Sequence, residues 1–325
     1  MTVPRTIGER TPALVAAYAF CRAVARREAK NFYWAFRVLP KHKSDAMCAV
    51  YAFMRKADDL ADDESMSLEA RRTAMQAWTE TWRRSRAGGS TEPLFLALND
   101  TQQRFAIPDE LLEQLVAGTT MDLQPQMDGV VVVRRASGAE SSLEAEEYQA
   151  FESFEALYRY CFLVASVVGL VTIRIFGYRD ASAEKLAEHT GIAFQLTNIL
   201  RDVREDAERK RVYLPLREME KGDVSLDELI ATTKTAAPSI EMKAFLQREI
   251  NRAQAFYADG EALIPLIDRD AQPAMRVLIT IYHRLLERIA QDPTAVFRER
   301  VSVPTPEKLA ILGRGLLASV FTRSV

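Results

Sequence analysis

Residues 157–177, LYRYCFLVASVVGLVTIRIFG, are apolar on nearly every side of any regular helix. A helix with no polar face has to be buried, so the rest of the chain must wrap around it. Its longest nearly continuous apolar run, Cys161 to Ile173, is expected to be too short to cross a bilayer. Gly177 is expected to end this helix and Ser182 to cap the next one. Helical patterns also cover 12–39 in two stretches, 67–86, 93–105, 108–121, 225–235, 238–266, 273–291 and 308–321. No internal repeat and no linker between two composition regimes is visible. The strand signal is confined to Val130–Val133, inside a stretch, 125–147, expected to be a surface insertion forming a short hairpin or an exposed loop. The expected fold is all-α, a single domain over residues 1–325.

Two segments carry acidic residues at helical spacing. In QLTNILRDVREDAERKRVYLP, residues 195–215, Asp202 and Asp206 are four apart, with Asn198 one turn earlier on the same stripe. Oxygen-bearing side chains at that spacing can line a site for a hard cation, and Mg²⁺ keeps waters and substrate phosphates in its shell. Acidic residues four apart are usually a solvated helix face. The second copy is what counts against that. In YAFMRKADDLADD, residues 51–63, Asp58 and Asp62 are four apart, as are Asp59 and Asp63, after an apolar lead-in and Arg55. Two acidic helices at the mouth of one apolar cavity suit an apolar substrate with a diphosphate head. Metal ions would take up the charge of the leaving group. Arg55 could share it, and apolar walls would shield a cation from water. Tyr160, on the buried helix, could stabilise a cation through its ring, or serve as ordinary core packing. His189 has no metal-spaced partner and reads as a surface or core residue.

The totals narrow the classes. A net charge of −2 leaves no basic excess for a nucleic-acid surface. Hydrophobic content of 48% with 27% charged residues fits a soluble globular protein. Cys21, Cys48 and Cys161 show neither metal spacing nor a pairing pattern, which fits a reducing compartment. The N-terminus lacks the apolar core of a signal peptide. The expected location is the cytoplasm, compatible with peripheral contact with the inner face of a membrane or with downstream pathway enzymes.

The two acidic motifs resemble those of the trans-isoprenyl diphosphate head-to-head synthases, the squalene and phytoene synthase family. YRYCFLVASVVG resembles the family's Y-C-x-x-V-A-G-x-V-G helix, KNFYWAFRVLP its S-K-S-F-Y opening, and RERVSVP also fits. The similarity covers roughly residues 25–312. It implies an isoprenoid-synthase helical fold with a central apolar cavity, and Mg²⁺ (or Mn²⁺) between diphosphate and Asp58, Asp62, Asn198, Asp202 and Asp206. It implies diphosphate contacts from Arg55, Tyr282, Arg300 and Lys308, and a prenyl-chain wall of Tyr160, Val164, Ala165, Gly169 and Gln195. Three departures stand out. Ala29 and Asn31 replace serines, Ser166 replaces the glycine of V-A-G and is expected to narrow the cavity, and the 125–147 insertion has no counterpart.

The implied reaction joins two prenyl diphosphates head to head. The leading expectation is two farnesyl diphosphates giving presqualene diphosphate, as in the bacterial hopanoid route. The alternative is two geranylgeranyl diphosphates giving phytoene. NADPH enters only if squalene is the product. Relatives that lost the acidic motifs and serve as assembly factors supply a non-enzyme reading, against which both intact acid pairs argue.

Overall fold

The computed structural model describes residues 11–29, 31–123, 128–136 and 145–323. The first six helices are α1 (Pro12–Glu28), α2 (Asn31–Val38), α3 (Lys41–Ala61), α4 (Leu68–Gly88), α5 (Pro93–Arg104) and α6 (Asp109–Thr120). A hairpin of β1 (Val130–Ala136) and β2 (Ala145–Phe151) comes next, then α7 (Phe154–Cys161), α8 (Val167–Phe176) and α9 (Ser182–Glu208). A short β3 (Arg211–Val212) leads to α10 (Leu216–Glu220), α11 (Leu226–Thr235), α12 (Ile240–Leu263), α13 (Gln272–Gln291) and α14 (Thr305–Arg323).

The apolar stretch sits at the centre, as its composition requires. A π-helical turn, Phe162–Ser166, joins α7 to α8, making one helical rod from Phe154 to Phe176. That rod is longer than the apolar run suggested, and its length and composition would allow it to cross a membrane. Half of its most apolar window is instead buried inside the protein, packed by α6 and α9. Two glycines permit that packing. A Cβ on Gly118 of α6 would lie 2.6 Å from the Leu163 carbonyl oxygen, and one on Gly191 of α9 would lie 2.6 Å from Ser166 Cα. Neither side chain would fit without moving backbone. Ser166 fills no cavity space. It is fully buried and donates from Oγ to the Glu188 carbonyl at 2.7 Å, tying the π turn to α9.

Helix ends follow local chemistry. Thr11, Ser67, Ser153, Ser225 and Ser239 each accept a backbone N–H at the start of a helix. Ser182 is not the cap it was expected to be. It is the first residue of α9, and its N–H donates to Asp180 Oδ1 at 2.9 Å. Asp180 forms the turn instead, as its short carboxylate reaches two residues ahead. On α4, Trp78 and Trp82 pack in tilted geometry against Phe53 of α3, with ring centroids 5.0 and 4.9 Å from it.

The 125–147 stretch forms a hairpin, one of its two expected forms, and none of its described side chains is buried; the pairing runs on past it to Phe151. β1 pairs antiparallel with β2, from Val130 opposite Phe151 to Ala136 opposite Ala145. β2 in turn pairs parallel with β3 through Gln149–Arg211 and Ala150–Val212. Tyr148, Ala150 and Phe151 are buried, so the second strand belongs to the core, while Val132 on β1 faces solvent. The sheet is therefore stitched to the segment that follows the second acidic motif. Residues 124–127 and 137–144 of this stretch lie outside the described residues.

Candidate active site

A cavity of about 290 Å³ opens between α3, the π turn, α8, α9 and α13. Its walls are mostly apolar: Met47, Val50 and Met54 from α3, Val168 from α8, Phe194 from α9 and Leu278 from α13. The expected chain-contacting residues Val164, Ala165, Gly169 and Gln195 all line it, as do Asn198 and Tyr282. Tyr160 does not. Its ring packs against Phe151 and Tyr213, at 5.3 and 5.1 Å between centroids, on the side of the sheet.

Helical spacing then places the acids. Met54 lines the cavity, and Asp58 stands one turn beyond it, with Asp62 one turn further. Asp62 lies just past the last helical residue of α3, yet its N–H still bonds the Asp58 carbonyl at 2.9 Å. On α9, Asn198 lines the cavity, and Asp202 and Asp206 follow at one and two turns. Each pair repels itself. Burial, and then the neighbouring Asp62, pushes the Asp58 carboxyl up to about 6. Burial, and then Asp202, pushes Asp206 up to about 7. Such pairs are stabilised by added positive charge.

The residues present fit a cation and an anion. Asn198 Oδ1 is buried without a hydrogen-bond partner, and a metal ion would satisfy this orphaned acceptor. Arg55 Nε is likewise buried without a partner, an unused donor beside the first acid pair, while its Nη2 reaches Asp59 at 2.7 Å. Among the described residues, no three acidic, histidine or cysteine side chains converge to cage a metal. Each pair would therefore hold a cation only with water, the Asn198 amide or ligand oxygens, which suits Mg²⁺.

Basic residues converge on the second pair. Arg201 Nε donates to Asp202 Oδ1 at 2.8 Å, and Arg300 Nε lies 3.2 Å from the same oxygen. Arg300 also approaches Glu205 at 3.5 Å, and Arg204 donates to the Arg298 carbonyl at 2.6 Å. The segment after α13 thus lies across the acidic end of α9. Sequence reasoning reached Arg300 but missed Arg201, whose position next to an aspartate carries no signal of its own. Tyr282 is hydrogen-bonded to Asn198, and burial raises its hydroxyl above the usual range. Lys308 opens α14, half-buried and outside the cavity wall. His189 pairs with Asp259 at 2.5 Å, a structural contact between α9 and α12. Ala29 ends α1, and the side chain of Asn31 lies outside the described residues.

Known proteins resemble this chain in sequence and in fold. The family model for squalene/phytoene synthase matches residues 25–307. A phytoene synthase from Mycobacterium tuberculosis is 31% identical over 304 residues, covering 94% of this chain and 92% of its own. A 15-cis-phytoene synthase from Synechococcus elongatus is 30% identical, covering 97% of both chains. Among solved structures, a dehydrosqualene synthase superposes with a TM-score of 0.75 at 25% identity, covering 96% of this chain and 98% of its own. A squalene synthase from Alicyclobacillus acidocaldarius gives 0.73 at 25% identity, covering 87% and 96%. The fold expected from the resemblance, the isoprenoid-synthase helical fold, is the one found, with a small sheet added. The chain belongs to the squalene/phytoene synthase family of prenyltransferases.

Proposed function

We propose that the protein condenses two geranylgeranyl diphosphates head to head to phytoene. The observation that carries the head-to-head reading is the placement of both acid pairs, each one turn past the wall of the same apolar cavity. The chain length is supported by the names of the relatives at 30–31% identity, which are phytoene synthases. A second reading, two farnesyl diphosphates giving presqualene diphosphate, is supported by the dehydrosqualene and squalene synthase structures at 25% identity.

In this proposal Asp58 and Asp62 on one side, and Asn198, Asp202 and Asp206 on the other, hold Mg²⁺ together with substrate diphosphate. Bound Mg²⁺ supplies positive charge for the departing diphosphate. Arg55, Tyr282, Arg300 and Lys308 share in binding that group. Arg55 uses its free Nε for this, and Arg300 exchanges Asp202 for phosphate oxygens. Met54, Val164, Ala165, Val168, Gly169 and Gln195 hold the prenyl chains and keep water from the allylic cation. The donor's C1–O bond breaks, a new carbon–carbon bond forms to the acceptor's double bond, and a proton is lost. A second ionisation then releases the diphosphate of the cyclopropyl intermediate, the resulting cation rearranges with opening of the ring, and loss of a second proton gives phytoene. NADPH belongs to the scheme only if squalene is made.

The test is a comparison of the two substrates with purified protein and Mg²⁺. Five extra buried carbons are worth up to about 4 kcal/mol when the cavity has room. A preference above tenfold in kcat/KM for geranylgeranyl diphosphate, with phytoene found by mass spectrometry, supports the first reading. The same preference for farnesyl diphosphate supports the second.

A further inference from the structure

The first acid pair ends on a peptide that is held from both sides. Ala61 is the last helical residue of α3, and Asp62 follows it at the start of the connection 62–67 to α4. The Ala61 carbonyl and the Asp62 N–H belong to one planar peptide unit. The N–H end bonds back to the Asp58 carbonyl at 2.9 Å. The carbonyl end has no helical partner, because a helix leaves its last carbonyls unpaired. Arg71 of α4 supplies one, donating from Nη1 to the Ala61 carbonyl oxygen at 2.9 Å. Its guanidinium also places positive charge at the negative end of the α3 dipole. The peptide so fixed carries the Asp62 side chain, and the grip of Arg71 therefore sets where that carboxylate stands.

The rest of the connection supports the same hold. Asp63 Oδ1 accepts from the Ser65 N–H at 3.0 Å and from the Ser65 hydroxyl at 2.5 Å, and the Met66 N–H donates to the Asp63 carbonyl at 3.0 Å. Asp63 is thereby engaged in the turn, while Asp62 is left exposed. Ser67 caps α4 by accepting the Ala70 N–H at 3.2 Å, which fixes the turn of helix that carries Arg71. An arginine placed only for solubility would point into water, but this one is turned inward, with Nε buried and without a hydrogen-bond partner. Like charges one helical turn apart repel, and Asp62 sits where a helix frays. Without a clamp, the repulsion between Asp58 and Asp62 would be relieved by fraying at Ala61, and a divalent cation would have to reassemble the pair.

We propose that Arg71 is a positioning residue for the first acid pair: through the Ala61 carbonyl it keeps Asp62 one turn past Asp58, so that a divalent cation meets both carboxylates already in place. This rests on the reading of Asp58 and Asp62 as cation-holding acids. The neighbouring Arg72 points elsewhere. Its Nε donates to the Leu123 carbonyl at 2.6 Å, tying α4 to the segment that ends α6. Arg72 therefore supplies the comparison for the mere loss of a staple on α4.

The test compares Arg71→Met, Arg71→Lys, Arg72→Met and Asp62→Asn with the parent, each in the full chain. The first readout is hydrogen exchange of the metal-free protein, followed by mass spectrometry. The amides of residues 61–66 are expected to exchange about tenfold faster or more in Arg71→Met, with those of α9 unchanged. The second readout is the Mg²⁺ concentration that half-saturates diphosphate release from prenyl diphosphate. Arg71→Met is expected to raise it about tenfold, the worth of one hydrogen bond from a charged donor, while kcat at saturating Mg²⁺ stays within about threefold of the parent. Arg71→Lys keeps a charged donor but loses the planar fork, and is expected to raise it about threefold. It carries the test if Arg71→Met does not fold. Arg72→Met is expected to match the parent in both readouts. Parent-like Mg²⁺ requirements in Arg71→Met and Arg71→Lys overturn the proposal. A loss confined to kcat overturns it too, as does an equal shift in Arg72→Met, because the effect then belongs to α4 as a whole. Asp62→Asn separates the two levels. If it raises the Mg²⁺ requirement and Arg71→Met does not, the acid pair keeps its role and Arg71 loses its own. If Asp62→Asn behaves as the parent, it is the cation reading of the pair that fails, and the proposal with it.

Discussion

Replacing Asp206 with Asn should stabilise the metal-free protein at alkaline pH while weakening its response to Mg²⁺. Burial and Asp202 push the Asp206 carboxyl from 3.8 to about 7. Because the folded value lies above the unfolded one, the folded protein holds a proton that the unfolded chain has lost. Stability from this group is therefore fully present below about pH 4, falls as pH rises, and levels off above about pH 7. The full gap corresponds to about 4 kcal/mol. Asp206 keeps some contact with solvent, so about half of that, ~2 kcal/mol, is the expected loss at pH 8. The amide of Asn has nearly the same shape and no charge, and escapes it. Urea unfolding followed by circular dichroism, with EDTA, should show Asp206→Asn about 2 kcal/mol more stable than the parent at pH 8 and about 1 kcal/mol more stable at pH 5. Added Mg²⁺ should stabilise the parent at pH 8 more than the variant, which keeps the Asp58/Asp62 pair but has lost one acid of the second. A variant less stable than the parent at pH 8, or a gain independent of pH, would refute the reasoning that the pair is held against its own repulsion.

Three further outcomes are expected. Asp58→Asn and Asp202→Asn should each cut Mg²⁺-dependent diphosphate release by about a hundredfold or more while helix content is retained; near-normal turnover in both removes these acids from the metal site. Gly191→Ala should lower the thermal midpoint, at a cost of about 1–3 kcal/mol, because its Cβ would meet Ser166 Cα at 2.6 Å; an unchanged midpoint in a thermal scan contradicts that contact. Phe151→Ala should cost about 3 kcal/mol in urea unfolding, because Phe151 is buried against Tyr160 and Tyr213; a loss below 1 kcal/mol would mean that the sheet is a surface attachment after all.

The helices were legible because their apolar residues recur at the helical period and their ends carry serine, threonine and proline. The acid pairs were legible for the same reason, since a spacing of four fixes a shared face wherever the helix goes. The sheet was not. AEEYQAF at 145–151 buries Tyr148 and Ala150 in alternation, but its acidic start masks so short a pattern, and the two residues of β3 carry none. The π turn was hidden in an unbroken apolar run, where one extra residue per turn changes no polar–apolar contrast. Tyr160 packs on Phe151 of the sheet and on Tyr213 beside it, a contact set by long-range pairing that no local pattern in the helix announces. The contacts of Arg201 and Arg300 with Asp202 depend on where the segment after α13 crosses α9, a long-range fact that no local pattern holds.

The most direct test of the central claim is diphosphate release by purified protein, given geranylgeranyl or farnesyl diphosphate, with Mg²⁺ or with EDTA, and with lipids identified by mass spectrometry. The account predicts Mg²⁺-dependent release with a head-to-head product of twice the substrate's chain length, abolished by EDTA and by Asp202→Asn. No release from either substrate, or release with only the free prenyl alcohol as product, would contradict it.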